Sequence, residues 1–200
     1  INPTAQEIAG IRCYPNLEEL PEVPELALLV LPAPHVLPTL ESCAQRGVKA
    51  AIVISAGFAE TGSEGAQAQV KIREVAQRSG MVICGPNSLG VLNFVDRIPM
   101  TFGSVTDMKD WPGGRVSLVS QSGGLLVGLA NRAFDAGVNL NYAVATGNEA
   151  DLKLSETIHY LAEDPGTDVI VVIIEAIRNG PRFLSVCDRL LELGKPLIAY

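Results

Sequence analysis

Residues 26–55 read LALLVLPAPHVLPTLESCAQRGVKAAIVIS. The two ends, Leu26–Leu31 and Ala50–Ser55, are unbroken apolar runs of strand length. Pro32 and Pro34 stop the first run. Val36–Arg46 has the spacing of a helix, with Pro38 in its first turn, where a missing N–H is tolerated. Unbroken rather than alternating apolar runs mark strands buried on both faces. Strand–helix–strand repetition of that kind predicts a parallel sheet covered by helices.

Downstream, Ser63–Ser79 reads as a helix ended by Gly80, and Met81–Cys84 as a third strand. Asp96–Gly114 breaks the alternation with Pro99, Gly103, Pro112, Gly113 and Gly114, which predicts a domain boundary. A second cycle follows: strand Arg115–Val119, helix Gly123–Ala136, strand Asn141–Thr146, helix Lys153–Ala162, strand Val169–Ile174 (VIVVII), helix Pro181–Leu193, and a strand opening at Pro196–Tyr200. The expected organisation is two α/β domains, each with a mainly parallel sheet, separated within residues 96–114. Ile1-Asn2-Pro3 reads as a strand end and its turn, so the chain is expected to be cut from something longer.

Composition supports this class and excludes others. Hydrophobic residues make up 48% of the chain and aromatics only 5%, so the core is built from Val, Leu, Ile and Ala. The net charge of −7 is spread evenly, without the clustered Lys and Arg that nucleic-acid binding requires. An anionic ligand must then be held by backbone N–H groups and helix N-termini. Cys13, Cys43, Cys84 and Cys187 stand far apart with no metal-ligand spacing, so no metal site is expected; reduced thiols in a cytoplasmic protein are the simplest reading. No apolar run approaches the roughly 20 residues needed to cross a bilayer.

Several loops follow directly on strands. Ser120-Gln121-Ser122-Gly123-Gly124 opens a helix and suits a phosphate, or is a tight turn capped by Ser122. Gly85-Pro86-Asn87-Ser88-Leu89-Gly90 lies where α/β sheets bind ligands, or is a structural turn. Gly147-Asn148-Glu149-Ala150-Asp151 orients a loop, contacts phosphate through backbone N–H groups, or is a solvated turn with Asp151 capping a helix. Glu175 ends VIVVII and either serves a site or pairs with Arg178. His35 and His159 lie in no catalytic pattern.

Taken in order, Ile1-Asn2-Pro3, Leu31-Pro32-Ala33, Ser55-Ala56-Gly57-Phe58-Ala59-Glu60, Gly85–Gly90, Ser120–Gly123, Gly147–Asp151 and Glu175 resemble the NDP-forming (ADP-forming) acyl-CoA synthetases, relatives of the succinyl-CoA synthetase α subunit. The resemblance covers nearly all of the chain and implies a partial Rossmann-like CoA-binding domain over 1–103, a linker over 104–114 and a partial flavodoxin-like, succinyl-CoA-ligase-like domain over 115–200. It implies that Leu31, Pro32, Ser55, Ala56, Gly57, Gly85, Pro86, Asn87 and Ser88 line a CoA cleft. It implies that Ser120–Gly124 receive the phosphate of a phosphohistidine, and that Glu175 holds that histidine. The implied reaction joins a small-molecule acid to CoA through an acyl phosphate. ATP or GTP with Mg would bind an ATP-grasp domain or β subunit outside these residues; a homo-oligomer is left open.

Three departures stand beside the resemblance. The family's glycine-rich first strand–turn–helix would lie before Ile1, and its histidine loop after Tyr200. Ser88 stands where many relatives have Cys. Bacterial protein lysine acetyltransferases share much of the pattern, so a CoA- or acyl-CoA-sensing region without ligase activity is the alternative.

Overall fold

The computed structural model describes residues 1–102 and 111–200. Residues 104–110 of the expected linker lie outside the described residues, and Gly113 and Gly114 already begin a strand. A small antiparallel hairpin, β1 (Glu7–Ile8) and β2 (Ile11–Arg12), precedes the first sheet. That sheet comprises β3 (Leu26–Leu29), β4 (Ala50–Val53) and β5 (Val82–Cys84), all parallel, in the order β3-β4-β5. The intervening helices are α1 (Ala33–Arg46) and α2 (Ser63–Ser79). α1 starts three residues before the expected Val36, so Pro34 takes the tolerated early position and Pro38 lies inside the helix.

Alternate residues of these strands face opposite ways. Ala51 and Val53 join Val36 and Leu40 of α1 and Ile72 and Val75 of α2 in one core. Ile52, Ile54 and Cys84 form a second cluster, against Val91, Met100 and Leu152. The face that a helix would cover in a doubly wound sheet is therefore covered by residues of the next two strands, 91–100, and by Leu152.

The second sheet holds β6 (Val91–Asn93), β7 (Ile98–Met100), β8 (Gly113–Ser120), β9 (Leu140–Ala145), β10 (Val169–Ile173) and β11 (Leu197–Ala199), in the order β11-β10-β8-β9-β6-β7. Four are parallel; β6 runs antiparallel to β9 and to β7. Sheet membership thus changes between Cys84 and Val91, earlier than the break expected at 96–114. Residues 91–100, grouped with the first domain on sequence, hydrogen-bond into the second sheet, with Val91 opposite Val144 and Asn93 opposite Tyr142. The fully buried Phe94 secures this joint, its ring centroid 5.2 Å from those of Trp111 and Phe134.

α3 (Gly123–Asp135) packs on one face of this sheet, where Leu126 and Ala130 meet Leu118 of β8. α4 (Leu154–Glu163) and α5 (Gly180–Leu193) cover the other, where Ile158, Val186 and Leu190 meet Val119 and Ile170. Leu118 and Val119 point to opposite cores, as burial on both faces of a parallel strand requires. Among the described residues no helix is long and apolar enough to cross a membrane.

Candidate functional site

The C-terminal ends of β3, β4 and β5 are tied together by Ser55. Its hydroxyl accepts the N–H of Leu31 at 3.0 Å, and its carbonyl accepts the N–H of Asn87 at 2.9 Å. Three of the segments assigned to the CoA cleft on sequence therefore meet at one place. Leu31, Pro32, Ala56 and Asn87 are exposed there, whereas Ser55, Gly85, Pro86 and Ser88 are buried. Ser88 is 2% exposed. Its hydroxyl donates to Ala145 O at 2.6 Å and accepts Gly90 N–H at 2.8 Å, so it binds the loop to β9 rather than facing the cleft. Burial pushes the neighbouring Cys84 thiol up to about 11, which keeps it neutral.

Glu60 ends the Ser55–Glu60 stretch that follows β4. Its Oε1 accepts the N–H groups of Gly57 at 2.6 Å and Phe58 at 3.1 Å, and its Oε2 accepts from Asn148. Partial burial pushes its carboxyl up, but the bonds from Asn148 and from Gly57 and Phe58 outweigh this and hold it below the ordinary 4.5. The N–H pair after β4 is thus already supplied with an anion from within the chain.

The segment after β9 is stitched along the end of β5. The N–H groups of Asn148, Ala150 and Leu152 donate to the carbonyls of Pro86 at 2.8 Å, Gly85 at 2.9 Å and Ile83 at 3.0 Å. Asp151 does not cap α4; its Oδ2 accepts Ile83 N–H at 2.9 Å, and Glu156 Oε2 accepts the N–H of Lys153 instead. Gln69 and Arg73 of α2 donate to the carbonyls of Asn148 and Ala150. Gly147 makes the approach possible: it lies at φ +60°, and a Cβ there would stand 2.4 Å from Pro86 O.

On the second sheet, β8 runs directly into α3. Ser122 is the N-cap and accepts Leu125 N–H at 3.5 Å, while Ser120 is fully buried and bonds the backbone of Ser122. Gly123 packs on the 85–90 loop, where a Cβ would lie 2.5 Å from Leu89 Cγ. Gly124 differs: nothing lies within 4 Å of a Cβ there. The first N–H groups of a helix have no partners within it, so Gly123 and Gly124 offer donors at an open, electropositive end. Gln121 is turned away from that end. Its Oε1 accepts the N–H groups of Glu175 at 2.7 Å and Ala176 at 2.9 Å, and its Nε2 donates to Ala176 O at 2.8 Å. It brings Glu175 to the phosphate-suited loop rather than offering a ligand itself.

Glu175 is exposed, and its expected rival partner is engaged elsewhere: Arg178 Nε lies 3.3 Å from Oε2 of Glu149. Glu149, in the 147–151 loop but absent from the sequence-derived site, is 1% exposed. Its Oε1 accepts the hydroxyl of Thr146 at 3.0 Å and the N–H of Leu154 at 2.9 Å. A carboxylate between Asn148 and Ala150, just past a buried strand, was the available signal for it.

Two family models match this chain: a CoA binding domain over residues 1–93, and a succinyl-CoA ligase like flavodoxin domain over 113–200. The chain is 39% identical to an ADP-forming acetate–CoA ligase I from Archaeoglobus fulgidus, over 99% of the chain and 28% of that protein. This chain pairs a CoA binding domain with a succinyl-CoA ligase like flavodoxin domain. A trans-feruloyl-CoA synthase of an unknown prokaryote is 38% identical over 99% of the chain, again 28% of the relative. The solved apo form of a Ca. Korarchaeum cryptofilum acetyl-coenzyme A synthetase 1, described as dinucleotide forming, superposes with a TM-score of 0.90 at 34% identity, over all of this chain and 42% of that one. The chain thus spans well under half the length of these relatives, and two synthetases with different acids resemble it equally.

Proposed function

We propose that this chain is the CoA-binding and phosphate-receiving portion of an acid–CoA ligase that forms acyl-CoA while ATP or GTP is cleaved to NDP and phosphate, through an acyl phosphate and a phosphohistidine. One observation carries the reading: Gly123, at the phosphate-suited helix start, packs on Leu89 of the 85–90 loop that closes the CoA-suited strand ends. A group moving between phosphate and a thiol needs those two places side by side.

The residues present fit both groups. Exposed Leu31, Pro32 and Ala56 suit the apolar stem of CoA, and exposed Asn87 adds polar atoms beside them. The Gly57–Phe58 donors already face Glu60, so the diphosphate would find its N–H groups elsewhere. CoA supplies the thiol that takes the acyl group, and ATP or GTP the phosphoryl group.

At the second sheet, Gly124 leaves the helix start open, and its N–H groups would hold a phosphate. Glu175 would not touch that phosphate, because like charges repel. It would accept a hydrogen bond from the far nitrogen of a histidine, fixing which nitrogen carries the phosphate. Gln121 holds the backbone beneath Glu175 for that role. The nucleotide, its Mg and an ATP-grasp domain or β subunit belong to the same proposal.

The test uses the longer protein that contains these residues. Incubation with γ-labelled ATP is expected to give a base-stable, acid-labile label that disappears on adding acid substrate and CoA, with a thioester forming. Tight CoA binding with no label would instead favour a sensor without ligase activity.

A further inference from the structure

Glu149 combines three features that seldom occur together. It has φ +60°, unusual for a residue with a side chain. It is a buried carboxylate. Its Oε2 accepts no aligned hydrogen bond, although Arg178 Nε is 3.3 Å away. Such a residue persists only where its surroundings over-determine it, and burying a charge without a partner is costly.

Arg178 belongs to the exposed 175–179 stretch between β10 and α5. That stretch has two anchors in the second sheet's loops. Gln121 grips Glu175 and Ala176 by the backbone, and Glu149 reaches Arg178 by charge. Glu149 is itself held through Thr146, whose N–H donates to Ser120 O at 2.9 Å. A chain of contacts therefore runs from the strand below the phosphate-suited helix start, through Thr146 and Glu149, to the loop that carries Glu175.

We propose that Glu149 is a positioning residue that acts through Arg178, holding the 175–179 loop so that the Glu175 carboxylate stays in register with the helix start at Ser122–Gly124. This rests on the ligase reading above. The pair is one-sided: Arg178 is 46% exposed and Glu149 1% exposed, so the arginine end is screened by water while the carboxylate end needs its counter-charge. A loop end released by an ångström slows a reaction by roughly 10- to 100-fold.

In the full-length protein, phosphohistidine formation is followed by rapid quench with γ-labelled ATP, CoA affinity by calorimetry, and stability by thermal unfolding. Arg178→Ala is expected to slow labelling at least about tenfold with CoA affinity nearly unchanged, while the unfolding temperature falls because Glu149 is left buried without its counter-charge. Arg178→Lys, which keeps the charge but not the fork, is expected to restore part of the rate. Adding Glu149→Gln to Arg178→Ala is expected to cost little more than the single change, because both break one contact. Labelling of Arg178→Ala at the wild-type rate overturns the proposal, as does a rise in KM for the acid with labelling unaltered, which would make Arg178 a substrate contact. Arg178→Ala carries the test alone if Glu149→Gln fails to fold. Wild-type protein that takes no label would overturn the ligase reading, and this proposal with it; labelled wild type beside unaffected Arg178→Ala sinks the positioning role alone.

Discussion

Gly57–Glu60 after β4 and Ser120–Gly124 after β8 both present backbone N–H groups at the C-terminal end of a parallel strand, but they satisfy them differently. In the first, two N–H groups converge on Glu60 Oε1, and the same carboxylate reaches Asn148 across the joint between the sheets. In the second, the Ser122 hydroxyl takes the N–H of Leu125, and a Cβ at Gly124 would face open space. Two anion-suited loops thus differ: one is filled by the chain's own carboxylate and fastens the two halves, and the other is left open, which is why we propose it as the place for an anion from outside. A strand-end loop rich in Gly and Ser becomes a ligand site only if no nearby carboxylate reaches it.

The largest effect expected from this contrast is at Glu175. In the full-length protein, Glu175→Gln keeps the fold and CoA affinity but slows phosphohistidine formation about 10²- to 10³-fold, measured by rapid quench. Turnover and labelling at the wild-type rate would make Glu175 structural. Next comes the joint itself. Gly147→Ala forces a Cβ to 2.4 Å from Pro86 O at a positive φ. A loss of about 2–4 kcal/mol is expected in denaturant unfolding, from backbone strain and overpacking together.

Adjacent glycines sharpen the comparison. Gly123→Ala meets Leu89 at 2.5 Å and is expected to destabilise, whereas Gly124→Ala meets nothing within 4 Å. Gly124→Ala should leave the unfolding midpoint unchanged or slightly higher, as a helical Ala is favoured over Gly. It should still weaken phosphate binding about tenfold by crowding the open helix start, a loss of one charge-assisted hydrogen bond. Equal loss of stability in both variants would erase the distinction between them.

The smallest effect is a pH dependence. The folded carboxyl of Glu60 lies below its ordinary 4.5. Its contribution to stability is therefore complete above 4.5 and is lost as pH falls from there through the lower folded value. Glu60→Gln is expected to flatten stability against pH in that acidic window by lowering stability at neutral pH, where the carboxylate's contribution is complete. An unaltered profile would mean the carboxylate carries no net share of the joint.

Much of this was legible in the sequence, for identifiable reasons. The runs at 50–53 and 169–173 are apolar throughout because each strand is covered on both faces, and such runs are hard to mistake. α2 fell on the expected residues because Gly80 ends it in a left-handed turn. β6 and β7 were missed: each is three residues long, β7 contains Pro99, and the pairing of β6 with residues 142–144, which joins both to the sheet, is distant in sequence. The loops were legible as places but not as partners. Gln121 looked like a ligand and grips the backbone of 175–176 instead; Asp151 looked like a cap and holds Ile83. Arg178 was close to Glu175 in sequence, yet the buried carboxylate it found comes from a different strand end. Spacing reveals which residues end strands, but hydrogen-bond supply across the joint decides which of them remain free.

The most direct test is a titration of isotopically labelled protein with inorganic phosphate, followed by amide chemical shifts. Saturable shifts at Gly123, Gly124 and Leu125, with Gly57 and Phe58 unmoved, are the expected result. Saturable shifts at Gly57 and Phe58 instead, or no saturation at the start of α3, would contradict the division between a filled loop and an open one.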